Sequence, residues 1–318
     1  MKVGVVAWTF SEGMSTPFEE AIKKIGRLGF EAVELIASKE TDLAEYYTHE
    51  RISKLIELYE SYGLTLSQFS LGGNWWWAGG LSSFDKEEKK RAIEHFKRGV
   101  QIAKELGTNI ITFVSHWPIG LQTVGNYLGR DANTPYSYVY PTIRGNPHVS
   151  YNPKLTMILP KGFSWEKTWE NYVESIGMCA DIVSNNGIRL AIEGHTHVIV
   201  AHTDSVLRLI DEVKSNSLGM NFDTGWQFIQ REYVPISIHK LGKRLFHVHI
   251  RDGDGSLYYG LPPGQGIIDW DEVVEALRHI GYNGVLSLEL NFPYQNERWL
   301  SEGKEYLEKI LSKHKALD

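Results

Sequence analysis

The chain has 318 residues, is 42% hydrophobic and carries a formal net charge of −6, which suits one α/β domain with a large core and argues against a dedicated nucleic-acid binder. Its single cysteine, Cys179, rules out an internal disulfide and points to a reducing compartment. The opening MKVGVVAWTF has too short an apolar run for a signal peptide, and no stretch approaches the roughly 18 apolar residues of a membrane span, so a cytoplasmic protein is expected.

Residues 3–10 form an apolar run that reads as a first strand. Thr16-Pro17-Phe18-Glu19 then offers an N-cap, a proline at the first helical position and a capping-box glutamate. Ile22, Ile25 and Leu28 follow at helical spacing, and Gly29 suits the left-handed stop. Residues 31–37 and 65–74 read as the second and third strands. Asp85 caps a helix bearing Ile93, Phe96, Val100, Ala103 and Leu106, stopped by Gly107. Residues 109–117 are the fourth strand. A helix near residues 165–185 precedes the fifth strand, 189–197. Thr203 opens the helix SVLRLIDEV, and 218–226 and 245–252 are the sixth and seventh strands. Asp269 opens WDEVVEALRHIGY, residues 285–292 make the eighth strand, and a helix over about 297–313 closes the series.

The strands are rich in Val, Ile, Leu and Phe, as strands buried on both faces are. Eight strands alternating with about eight helices predict an α/β fold: one (β/α)8 TIM barrel over residues 1–318. A doubly wound sheet is the competitor, but no Gly-rich phosphate fingerprint follows the first strand. One connection, residues 118–163 after the fourth strand, is abnormally long and rich in Tyr, Gly, Pro and Asn. Such loops are commonly functional. It reads as a substrate-covering lid, with a subunit contact as the plainer alternative.

Chemistry concentrates late in the last four strands, at Glu193 in RLAIEGHTH, Asp223 in LGMNFDTGW, His249 in LFHVHIRDGDG and Glu289 in VLSLELNF. A carboxylate ending an apolar run is costly to bury without a positive partner. Four such residues on successive strands converge at the mouth of a barrel, and three carboxylates with one imidazole suit Mn2+ or Mg2+ first, then Co2+ or Zn2+. Alternation along a strand adds His195 and His197 to Glu193, His247 to His249, Gly225 to Asp223 and Asn291 to Glu289. His116, Trp226 and Arg251 are further candidates for substrate contact. For Arg251 a plain ion pair with Asp252 or Asp254 is the alternative. Asn74-Trp75-Trp76-Trp77 lies between glycine pairs, and Trp76 there can wall a sugar face or simply pack the barrel top.

These motifs resemble the xylose isomerase-like barrel superfamily, in particular its sugar phosphate isomerase/epimerase branch. HVHIRDGDG…LPPGQGIIDWDEVVEALRHIGYNGVLSLEL is similar to that branch over about 45 residues, a span that takes in the expected seventh and eighth strands. IEGH and DTGW resemble its strand-five and strand-six motifs. The resemblance implies one divalent metal held by Glu193, Asp223, His249 and Glu289, with Glu193 and Glu289 also an acid/base pair. The expected reaction is abstraction of the proton α to the carbonyl of a ketose or keto-sugar, through a metal-stabilised enediolate, by Glu193, Glu289 or His195. Trp226 stands where these epimerases carry a histidine, and Ile199 about where they carry a second glutamate. His195 and His197 are additions. A lyase of the same superfamily is therefore the alternative, either inosose dehydratase-like or the catalytic subunit of an enzyme eliminating the aglycone of a 3-oxo-glycoside. The expected partner is a small sugar or glycoside, with no nucleic acid or membrane; a homo-oligomer and a small partner subunit both stay open.

Overall fold

The computed structural model describes residues 1–11, 14–72, 79–120, 122–124, 156–255, 260–290 and 297–315, with backbone only at 122–124 and 156–158. Eight parallel strands close into a barrel: β1 (Lys2–Val6), β2 (Ala32–Ala37), β3 (Thr65–Leu71), β4 (Ile110–Val114), β5 (Arg189–Glu193), β6 (Leu218–Asp223), β7 (Leu245–Ile250) and β8 (Val285–Leu288). Each strand pairs with its neighbours in sequence. The ring shuts where Lys2, Val3, Gly4 and Val5 pair with Val285, Leu286, Ser287 and Leu288. Every residue of β2, β6 and β7 is buried, which is why these strands read as continuous apolar runs.

Around the barrel lie α1 (Glu19–Arg27), α2 (His49–Ser61), α3 (Lys86–Glu105), α4 (Trp165–Asn185), α5 (Thr203–Val213), α6 (Val234–Leu241), α7 (Trp270–His279) and α8 (Glu297–Lys313). A hydrophobic cluster joins their inner faces to the barrel wall. Helix starts follow the sequence where a capping side chain is available. Asp85 accepts Glu88 N–H at 2.8 Å, and Asp269 accepts Glu272 N–H at 3.2 Å; each such cap contributes about 1 kcal/mol. The start of α1 differs from expectation. Thr16 Oγ1 donates to Asp42 Oδ1 at 3.2 Å instead of capping, and Tyr46 Oη takes the Phe18 N–H at 3.0 Å. Partners arriving from the segment after β2 displace the local cap.

The strands end earlier than their apolar runs. Residues 7–10 form a 3-10 turn after β1, and a short helix, Thr224–Ile229, follows β6 at once. Both turns carry a buried tryptophan, Trp8 and Trp226, because they fold back over the barrel mouth. Apolarity there belongs to the roof, not to the wall. The long connection after β4 contains a small antiparallel pair, Gln122–Val124 with Thr156–Ile158. Residues 125–155, most of the expected lid, lie outside the described residues. Among the described residues no helix is long and apolar enough to cross a membrane.

Candidate metal centre

The strand register sets the heights of the polar side chains. Glu193 is the last residue of β5 and pairs with Asn221 of β6; Asp223 pairs with His249, and His249 with Ser287. Glu289 follows β8 directly, its N–H donating to Ile250 O at 3.2 Å. Glu193, Asp223, His249 and Glu289 are all buried, and one donor atom from each lies within 4.8 Å of the others. The convergence expected from the sequence is present.

Local chain geometry fixes each group. After Glu193 the backbone doubles back so tightly that a Cβ on Gly194 would come within 2.3 Å of Ala201 O, so only glycine fits between Glu193 and His195. Asp223 Oδ1 accepts Trp226 N–H at 2.8 Å, capping the short helix. Glu289 Oε1 accepts the Trp8 indole N–H at 3.0 Å. Asn221 Nδ2 donates to Glu193 Oε2 at 3.0 Å.

The oxygens left over point inward to a shared locus. Asp223 Oδ2 and Glu289 Oε2 are buried and accept no hydrogen bond of good geometry, yet both lie against positive charge. Arg251 Nε is 2.7 Å from Asp223 Oδ2, and Nη2 is 2.5 Å from Glu289 Oε2. His249 Nδ1 is 2.8 Å from Glu289 Oε2. Thus Arg251 pairs with two of the expected ligands. Asp252 is used elsewhere: its carboxylate accepts N–H groups of Gly253, Gly264, Gly266 and Ile268 and the indole N–H of Trp270, all between 2.8 and 3.1 Å. A Cβ on Gly266 would sit 2.2 Å from Asp252 Oδ1. The DGDG…GQGIIDW motif is therefore the anchor of the loop after β7.

Negative charge is in excess. Burial, together with repulsion from Glu193 and Glu289, pushes Asp223 up to about 7 despite Arg251. Burial alone would also raise Glu193, but the charge of His249 and hydrogen bonds from His195 and His249 outweigh it and hold Glu193 low. For Glu289 the charges of Arg251 and His249 overcome burial in the same way. Burial opposes the His249 cation, yet Glu289, Glu34 and Glu193 together raise it well above the ordinary imidazole value. Three carboxylates and an imidazole, two of them with an inward oxygen lacking a hydrogen bond, are a donor set that fits one divalent cation.

The profile of the xylose isomerase-like TIM barrel family matches residues 22–310. The chain belongs to this family. It is 24% identical over 291 residues to D-psicose 3-epimerase of Enterocloster bolteae, covering 91% of this chain and 82% of that one. A match to the uncharacterized protein MJ1311 of Methanocaldococcus jannaschii, 28% identical over 162 residues, covers 45% of this chain and about half, 52%, of that protein. The crystal structure of a D-psicose 3-epimerase with D-tagatose from Clostridium cellulolyticum H10 superposes with a TM-score of 0.73 at 19% identity, covering 98% and 99% of the two chains. That likeness establishes the fold.

Within this xylose isomerase-like barrel the remaining candidates fall in different places. His195 lies beyond the end of β5 and still reaches the centre, its Nε2 2.9 Å from Glu193 Oε1. Its ring stacks on Trp226 at 4.2 Å between centroids, and burial lowers its pKa. His197 is not placed by strand alternation, because β5 stops at Glu193 and His197 sits in a turn with φ of 67°. Gly225 likewise lies in the short helix and not on a strand. His116 is fully buried against Tyr172 and Phe113, with Nδ1 3.4 Å from Tyr172 Oη, and burial drives its pKa down to about 3. Trp76 and Asn291 lie outside the described residues.

Sequence reasoning missed the groups beneath the centre. Glu34 of β2, Gln68 of β3 and Asn221 of β6 are buried inside the barrel, and Trp8 reaches Glu289 from above β1. Glu34 carried the same signal as the four found, a carboxylate inside the apolar run AVELIA. His247, read as a companion of His249, faces Glu34 with Nε2 2.6 Å from Oε1.

Proposed function

We propose that this protein is a sugar isomerase or epimerase that works by removing the proton α to a carbonyl, with one divalent cation held by Glu193, Asp223, His249 and Glu289. The donor set favours Mn2+. When bound, such a cation supplies Lewis-acid polarisation of the substrate carbonyl. We also assign residues 1–318 to one domain, with the connection at 118–163 as its lid.

The observation that carries this reading is the pair Glu193 and Glu289. Each supplies an oxygen to the common locus and accepts a hydrogen bond from a different donor, His195 Nε2 or Trp8 Nε1, with Asn221 Nδ2 also on Glu193 Oε2. Two carboxylates held apart in this way can take a proton and return one from separate positions. Glu193 stays anionic and suits the accepting role. Arg251, bridging Asp223 and Glu289, limits charge repulsion between them and is a candidate donor to a substrate oxygen. Trp226 closes the His195 side with an apolar face. The likeness to D-psicose 3-epimerase over most of both chains supports the same reading.

The placement of His195 favours a second reading. An imidazole kept neutral by burial, in contact with Glu193 and partly exposed at the mouth, can serve a departing group, and elimination from a 3-oxo-glycoside shares the first proton abstraction. The experiment is incubation with a ketohexose in D2O and Mn2+, before and after chelation. Deuterium in an isomerised or epimerised product, lost with the cation and restored by it, is the expected result. Exchange unaffected by chelation rejects the metal assignment. Turnover restricted to substrates with a leaving group transfers the protein to the lyase reading.

A further inference from the structure

A buried carboxylate that the reaction above does not use lies beneath the metal centre. Glu34 on β2 is wholly inaccessible to solvent. Its Oε1 is 2.6 Å from His247 Nε2, and its Oε2 is 3.1 Å from His249 Nε2 and 2.7 Å from Gln68 Nε2. The other nitrogen of the same His249 ring, Nδ1, is 2.8 Å from Glu289 Oε2 and 3.6 Å from Glu193 Oε2. The two edges of the imidazole thus face different carboxylates, and each also has an amide beside it: Gln68 Nε2 lies 3.0 Å from Nε2 and Asn221 Nδ2 3.3 Å from Nδ1. A neutral imidazole has one N–H and one lone pair, and which nitrogen carries the proton is set by the partner of the other.

We propose that Glu34 is the positioning residue of the metal centre: it accepts the Nε2–H of His249 and so presents Nδ1 to the cation. The inference rests on the metal-centre reading above and adds to it a tautomer, a ligating atom and a residue from the opposite wall of the barrel. Glu34 is itself held at both oxygens. His247 Nε2 donates to Oε1, the Gln68 amide donates to Oε2, and Ser287 Oγ lies 3.2 Å from His247 Nε2. A carboxylate is required there, because both of its oxygens face donors. An amide of the same size would set an NH2 against either His247 or the His249–Gln68 side. A carboxylate behind a ligating histidine fixes the ring and raises its basicity, and its loss commonly costs 10- to 100-fold in metal affinity.

Glu34, His247 and His249 are also close enough to hold a cation of their own. The number of Zn2+ ions bound per chain separates that arrangement from the positioning role.

The test uses the full chain with 15N-labelled histidine and Zn2+ as a diamagnetic probe. The expected spectrum shows His249 protonated at Nε2, a shift of its Nδ1 on addition of Zn2+, and saturation at one Zn2+ per chain. Glu34→Gln is expected to weaken Zn2+ binding by roughly 10- to 100-fold in calorimetry and to lose the protected Nε2–H. Protonation at Nδ1 with Zn2+ on Nε2, two Zn2+ per chain, or unchanged affinity in a folded variant overturns the proposal. If Glu34→Gln does not fold, the spectrum of the unaltered protein still decides. Failure of the unaltered protein to bind Zn2+ overturns the metal-centre reading and this inference together. Normal binding with a wrong tautomer overturns this inference alone.

Discussion

Strands β5 to β8 each end in a side chain that reaches the shared locus, whereas β1 to β3 and the turn after β1 send Trp8, Glu34 and Gln68 to hold those side chains in place. The first group is charged and convergent. The second is mostly neutral and touches the locus only through another residue. The difference separates two requirements of one centre. The later strands fix which atoms meet a cation or a proton, and the earlier strands, with Asn221 of β6, fix how those atoms are oriented.

The sharpest way to break this comparison is at Glu289. Glu289→Gln keeps the Trp8 contact and removes the charge, and turnover is expected to fall by roughly 10^2- to 10^4-fold, with weaker Mn2+ binding in calorimetry. Retention of full activity ends the acid/base assignment. On the supporting side the effect is smaller. Trp8→Phe removes one donor to a buried carboxylate, worth about 1.5 kcal/mol, so kcat is expected to drop roughly tenfold in steady-state kinetics. A drop as large as that of Glu289→Gln would erase the distinction between the two groups.

The pH dependence of metal binding sharpens it further. Asp223 is pushed up to about 7, so on acidification it holds a proton that a cation must displace. Mn2+ affinity, read by titration, is expected to fall at least about threefold from about pH 7.5 to about pH 6.5. An affinity that rises on acidification contradicts the ligand set. The smallest effect is expected at the far end of the barrel. Thr108, whose Oγ1 donates to Ser67 O at 3.1 Å before β4 begins, touches no part of the centre. Thr108→Ser should leave kcat within about twofold, and a larger loss would show that the two ends of the barrel are coupled.

Much of this centre was legible because burying a carboxylate at the end of an apolar run demands compensation, and four successive strands repeat that signal. What was not legible has identifiable causes. Alternation was carried past the true ends of β5 and β6, so His197 and Gly225 were placed on strands that had already turned. Glu34 sits inside β2 and not at its end, so a search for late positions passed over it. Gln68 and Asn221 carry no charge to mark them. Arg251 was offered its chain neighbour Asp252, but four backbone N–H groups and an indole had already claimed that carboxylate. Pairing by proximity in sequence fails where a loop folds back on its own first residue.

The double engagement of Asp223 explains why that position is an aspartate while its companions on β5 and β8 are glutamates. One oxygen must reach only three residues ahead, to the amide of Trp226, and the other must face the interior. A side chain longer by one methylene overshoots the amide, and asparagine keeps the turn but discards the charge. Glutamate and asparagine at 223 should therefore fail for opposite reasons, one by loosening the roof over the mouth and the other by leaving the interior one anion short.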